Sequence, residues 1–247
     1  MKHRHSLLLL GLALVFCLPL HAQQWASGRR LSFLAYAYNQ GYQWQKAVNK
    51  LQALNQQNWE NKYEWAIAAY GRIGYCIASE SCQDVDDQID EAQEIAEALL
   101  KVKPKSSKAQ ALYGALLAME VGRSPAKAIY LGPRSSSYLD DALESDPRNP
   151  TAWVEKGNMR FHAPALFGGD MTEAVNCFKK AVTLFDQQPA LRKDNWLYLH
   201  ALAWLGKSYE EEGKNQEALK AYQKALQFEP NFHWVKNELM PALQKKI

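Results

Sequence analysis

Apolar and small residues recur along this chain at helical spacing, and no stretch shows the alternation a half-buried strand would need. The most regular segment runs from Trp196 to Pro230. Leu202, Leu205, Gly206 and Tyr209 fall on one face of a first helix. Ala218, Tyr222 and Ala225 fall on one face of a second, with Gly213 between them and Pro230 at the end. Gly206 and Ala218 are small where two antiparallel helices would cross closely, while Tyr209 and Tyr222 fill the gaps beside the crossing. The landmark recurs upstream at Gly71, Gly114 and Gly157, at intervals of 43, 43 and 49 residues up to Gly206.

These eight landmarks, Leu202 to Pro230, resemble the tetratricopeptide repeat. That resemblance implies an all-α, right-handed α-α superhelix of about four to five helical hairpins with capping helices. A plain repeat of the family has about 34 residues, so the longer intervals contain insertions. The distance from each Gly to the small residue of its second helix is 21 (Gly71 to Ala92), 21 (Gly114 to Ser135), 17 (Gly157 to Ala174) and 12 (Gly206 to Ala218). The junctions Pro104 to Gly114 and Pro147 to Gly157 are both ten residues and hold the register. The extra residues read as loops at Cys76–Asp84, Arg123–Ser136 and Pro164–Asp170, with more around Gln187–Lys193. Asp170 caps the helix that follows, with Glu173 three residues on, and Asp84, Asp86 and Asp87 suit the positive end of another.

The expected organisation is a signal peptide over 1–22 and one repeat domain over 23–247. Within it lie a capping hairpin at 23–60 that turns at Gly41-Tyr42, repeats at 61–106, 107–149, 150–194 and 195–232, and a capping helix at 233–247. About eleven helices are expected. Terminal elements of a solenoid must cover the apolar face that stacking buries elsewhere.

The signal reading rests on Lys2 and Arg4 ahead of the apolar run Leu7–Leu20, with cleavage after Ala22. That run is shorter than the ~20 residues of a membrane-spanning helix, so no stable membrane insertion is expected after cleavage. The localisation expected is periplasmic or secreted. Removing Lys2 and Arg4 turns 29 basic and 26 acidic residues into 27 and 26, a balance that excludes a nucleic-acid partner. Of four cysteines, Cys17 lies in the signal. Cys76 and Cys82 either pair in the oxidising compartment, a short loop worth about 2 kcal/mol, or stay as half-buried thiols; Cys177 is left over.

Pro164-Ala165-Leu166-Phe167-Gly168-Gly169 is similar to a hairpin insertion shared by exported bacterial repeat proteins, including the periplasmic tetratricopeptide component of tripartite solute transporters. This second resemblance implies an exported bacterial protein and, for the transporter group, partnership with a solute-binding protein. The first implies that the leading helices line a concave groove. Counted from each Gly, the groove positions are Trp65, Arg72, Tyr75, Lys108, Asn158, Phe161, His162, His200 and Lys207, with Met119 and Glu211 beside them. Tyr75 and Phe161 either face the groove or pack beneath the insertions. Rings and cations together suit an extended peptide or a carboxylate-bearing ligand.

No catalytic chemistry is legible. His162, His200 and His233 sit in no triad spacing, Gly168-Gly169 reads as a tight turn feeding the Asp170 cap, and Ile89 breaks the calcium-loop pattern. No metal, no cofactor and no enzymatic activity are expected. The function expected is a scaffold for a protein or peptide partner, or alternatively a ligand-binding accessory subunit of a solute transport system. Eight Trp, twelve Tyr and eight Phe divide into a packing set (Tyr70, Tyr113, Phe178, Tyr209, Tyr222) and a groove set (Trp65, Tyr75, Phe161).

Overall fold

The computed structural model describes residues 20–247, which form twelve α-helices and no strand. Residues 1–19, with Lys2, Arg4, Cys17 and most of the apolar run of the expected signal, lie outside the described residues. Leu20, His21 and Ala22 open the first helix. Helices α1 (Leu20–Ala37) and α2 (Gly41–Gln52) make a hairpin. Four more pairs follow: α3 (Trp59–Ser79) with α4 (Val85–Val102), α5 (Ser107–Arg123) with α6 (Ala128–Ser145), α7 (Pro150–His162) with α8 (Met171–Gln187), and α10 (Trp196–Glu211) with α11 (Asn215–Phe228). The single turn α9 (Pro189–Arg192) joins the third and fourth pairs. A π turn, Val235–Leu239, runs into α12 (Met240–Gln244), where Pro241 cannot donate to the ladder.

The leading helix of each repeat starts on a side-chain cap that accepts a backbone N–H. Asn58 accepts from Asn61, Ser106 from Ala109, Asn149 from Thr151 and Asn195 from Leu197. Each cap satisfies one of the N–H groups a helix start leaves unpaired. Asp170 caps α8 in the same way, accepting from Glu173 at 3.0 Å. Asp84 does not cap through its side chain; it takes a left-handed conformation at φ 56° and turns the chain into α4.

The pairs pack as hairpins, and their leading helices stack α3 on α5, α5 on α7 and α7 on α10, giving an all-α superhelix. Closeness is set by the repeat glycines. A Cβ on Gly157 would lie 2.9 Å from the Phe178 ring, and one on Gly114 3.0 Å from Leu139, each on the partner helix. One on Gly206 would fall inside the Tyr222 ring, which is fully buried and donates to Glu210 at 2.5 Å. Because that ring cannot swing aside, Gly206→Ala is expected to lose about 1–3 kcal/mol of stability. A urea midpoint equal to that of the parent would show that the crossing has slack.

Two of the expected insertion loops are helical in part: one mostly, the other only at its start. The stretch Arg123–Ser136 is mostly the first half of α6, led by a 3-10 turn at Pro125–Lys127. Ala128, Leu131, Ser135, Leu139 and Ala142 are its buried face, and the Ser135 hydroxyl donates to the Gly114 carbonyl at 2.7 Å. The Gly-Pro-Arg-Ser-Ser-Ser composition obscures that stripe, although exposed Pro133 is accommodated inside the helix. In Cys76–Asp84, α3 continues to Ser79, so only 80–84 is loop. Cys76 and Cys82 are joined as a disulfide across it, and Cys177 is free and buried. The first hairpin turns at Tyr38–Gln40 rather than Gly41-Tyr42, because Asn39 takes up the positive φ the turn needs.

Candidate functional site

The hairpin α1–α2 also reaches the far end of the solenoid. Tyr36 on α1 packs on Trp196 of α10 at 5.3 Å between ring centroids and on Phe232 at 5.5 Å, while Trp44 on α2 meets Trp196 edge to face at 5.5 Å. Arg30 pairs with Asp194 at 2.8 Å, and the Tyr38 hydroxyl donates to Glu229 at 3.2 Å. The N-terminal hairpin and the last repeat therefore meet. Gly71 follows from this closure: a Cβ there would strike Trp44 and Trp196 rather than a residue of α4. Side chains of α1 and α2 thus lie against leading-helix residues that were expected to line the groove, His200 among them.

A chain of hydrogen bonds starts from this contact. Tyr36 Oη lies 3.1 Å from His200 Nδ1, His200 Nε2 lies 2.9 Å from Asn158 Oδ1, Asn158 Nδ2 donates to Glu155 at 2.9 Å, and the Tyr70 hydroxyl donates to the same carboxylate oxygen at 2.6 Å. The other oxygen, Glu155 Oε1, is buried without a partner. Burial pushes the Glu155 carboxyl up to about 7 against the two hydrogen bonds that favour its charge. Burial, followed by the charge of His162, lowers His200 to about 3. The chain thus ties α1, α3, α7 and α10 through Glu155 and His200, in both of which burial disfavours the charged form.

The expected groove residues divide on this frame. Asn158 and His200 belong to the interior chain. Arg72 donates to Gln88 at 2.5 Å, and Lys108 lies 3.6 Å from Glu60 and 5.3 Å from the Tyr63 ring. Trp65 packs against Leu51 and Ala68 of a small cluster, and Tyr75 lies over Gly41. Phe161 and His162 come together with residues the repeat register does not single out. Trp204 is their centre: Phe161 lies 4.8 Å from it, His162 4.7 Å and Trp234 5.5 Å between ring centroids. These rings are all incompletely buried, and Lys207 stands one turn beyond Trp204 on α10. Trp234 comes from the C-terminal segment, so no repeat spacing could have placed it here.

Beside His162 the insertion Pro164–Asp170 forms a rigid turn. Arg160 donates to the Gly168 carbonyl at 2.5 Å, and the Asp170 N–H returns to the Arg160 carbonyl at 2.9 Å. Gly168 has φ +88°, and a Cβ on Gly169 would collide with the Ala163 carbonyl. This framework holds Leu166 89% exposed and Phe167 47% exposed. At the seam, the cavity bounded by Arg29, Tyr63, Glu64, Asp194 and Trp196 has a volume of about 40 Å³, far below that of an organic-ligand pocket.

Residues 201–232 match the tetratricopeptide repeat. The fold of the whole is that of a TPR solenoid. It is similar to a thermophilic TPR protein of Thermus thermophilus, at 18% identity and a TM-score of 0.56, covering 90% of this chain and 96% of that one. It is also similar to the HusA haemophore of Porphyromonas gingivalis, at 20% identity and a TM-score of 0.58, covering 76% of this chain and 94% of that one. No curated protein matches the sequence. At these identities the likeness is one of fold. Among the described residues no group of His, Cys, Asp or Glu is arranged to hold a metal, and no helix is long and apolar enough to cross a membrane.

Proposed function

We propose that this TPR protein is an exported, non-catalytic scaffold that binds a protein or peptide partner through its concave side, at the rings around Trp204 and the adjacent Leu166–Phe167 turn. The observation that carries the reading is the rigid turn. Arg160, Gly168 and Gly169 hold two apolar side chains in water at a point where the fold gains nothing from their burial. The seam cavity is too small for a solute, so the transporter-accessory reading would need another site, for which the cavity of about 440 Å³ beside Cys76, Cys82 and Arg123 has the room.

Affinity capture from an extract of the source cells tests the scaffold role. Proteins retained by the parent should be lost when Phe161→Ala, Leu166→Ser and Lys207→Glu are combined, and kept when the exposed convex residues Lys179 and Lys220 are changed to Ala. The same proteins retained by all three baits would refute the surface. Export is tested by the mass of the mature chain: a new N-terminus at Gln23 supports it, and a full-length chain recovered from the cytosol opposes it.

A further inference from the structure

The disulfide Cys76–Cys82 forms part of the wall of a cavity of about 440 Å³, the size of a small-molecule site. Cys76 belongs to α3 and is 1% exposed within the core cluster, whereas Cys82, in the loop before α4, is only partly buried. A thiolate that enters the cavity therefore meets the Cys82 sulfur first. The bond also constrains the loop. Glu80 and Asp84, at φ 52° and 56°, hold a left-handed conformation that side chains seldom adopt, and Glu80 lies inside the ring the disulfide closes. Opening the S–S bond would release that segment.

Charge decides which thiolate enters. Four carboxylates, Glu80, Asp84, Asp86 and Asp87, line the cavity against one cation, Arg123. Asp86 engages that cation through two hydrogen bonds, at 2.8 and 3.3 Å. Lys127, whose charge also reaches Asp86, pairs with Glu120 at 2.5 Å. Glu80, Asp84 and Asp87 pair with no cation among the described residues. The N-terminus of α4 opposes them with only about half a positive charge. Such a lining raises the local concentration of a cation and lowers that of an anion.

We propose that Cys82 is a site of thiol–disulfide exchange selective for small thiols that carry a positive charge. The thiolate attacks the Cys82 sulfur, the bond to Cys76 breaks, and its electron pair leaves on the Cys76 sulfur, which takes a proton from water. Cys82 then stands in a mixed disulfide with the incoming thiol, and the exchange consumes no other oxidant or reductant. The site is independent of the partner surface proposed above.

Cysteamine, mercaptoethanol and mercaptoethanesulfonate, one cationic, one neutral and one anionic, test the selectivity on the folded protein. Each rate constant for cleavage, expressed per thiolate, is divided by that of the same thiol with uncharged hydroxyethyl disulfide, which removes differences in nucleophilicity. At low ionic strength the normalised rate for cysteamine should exceed that for the sulfonate by about tenfold, with the neutral thiol between. Salt at about 0.5 M should bring the three together in the parent. The combined variant Glu80→Gln, Asp84→Asn and Asp87→Asn should do the same at low salt, since Asn tolerates the left-handed conformation at 84. Peptide mapping after alkylation should find cysteamine on Cys82 and the alkyl group on Cys76. Equal normalised rates at low salt, selectivity that survives salt or the triple variant, or an adduct on Cys76 would each overturn the proposal. So would a rate that stops rising with thiol concentration at a value common to all three, which places cleavage in the unfolded chain.

Discussion

Trp196→Ala should lose about 3–5 kcal/mol of stability, the range for deleting a large buried aromatic. Trp196 is 5% exposed, and its ring is shared by Tyr36, Trp44, Tyr70 and His200 at centroid distances between 5.3 and 6.0 Å. Those partners come from α1, α2, α3 and α10, so the cavity would open where the two ends of the solenoid meet. Two readouts separate closure from ordinary packing. Urea unfolding gives the total loss. Hydrogen exchange should show α1 losing protection more than α5–α6, which do not touch Trp196. A loss under 1 kcal/mol, or uniform loss of protection along the chain, would mean that closure is not where the stability of this region lies.

Glu155→Gln should change the dependence of stability on pH more than stability itself. The Glu155 carboxyl titrates near 7 when folded and near 4.3 when unfolded, so its linkage favours the fold most at low pH. That stability is lost as pH rises from about 4.3 to about 7 and does not change beyond. The gap corresponds to about 4 kcal/mol. His200 works the other way. Lowered to about 3, it contributes stability that is fully present above about 6.5 and lost as pH falls toward 3.

Between about pH 4.5 and 6.5 unfolding thus releases one proton from Glu155 and takes up one at His200, and the two slopes cancel. In Glu155→Gln only the His200 slope remains. The variant should match the parent near pH 4 and exceed it by up to about 4 kcal/mol above pH 7, since a neutral amide leaves a less costly orphan than a carboxylate does. Urea unfolding of both proteins from pH 4 to 8 gives the difference directly. A difference that does not vary with pH would show that Glu155 is ionised throughout and that its missing partner lies in solution.

Much of the architecture was legible because it rests on local spacing. The glycines at 71, 114, 157 and 206 and the prolines at 104 and 147 mark close crossings and helix ends, and both depend on backbone sterics that a linear pattern records. The reading failed where composition and burial disagree. Ser135 looks like loop chemistry in Ser-Ser-Ser, yet it is 2% exposed and engaged with the Gly114 carbonyl, so α6 starts two turns earlier than its residues suggest.

The candidate site was legible only in part. Phe161, His162 and Lys207 lie at repeat positions, so counting from the glycines reaches them. Trp204 and Trp234 were missed: the first is two residues before Gly206, outside the counted positions, and the second lies beyond the last repeat. Asn158 and His200 were counted into the groove but are engaged inside, because a repeat register states which face a residue is on and not what covers that face.

By itself, then, the sequence determined a helical repeat solenoid, the small residues at its crossings and a nearly balanced charge. Only the tertiary structure decided that the two ends meet. Tyr36 and Trp44 contact Trp196 and His200 more than 150 residues away, as the 164-residue separation of the Tyr36–His200 hydrogen bond records. Such contacts depend on the curvature accumulated over four stacked hairpins, a sum of small rotations that no single repeat encodes. That sum sets α1 and α2 against the leading helix of the last repeat.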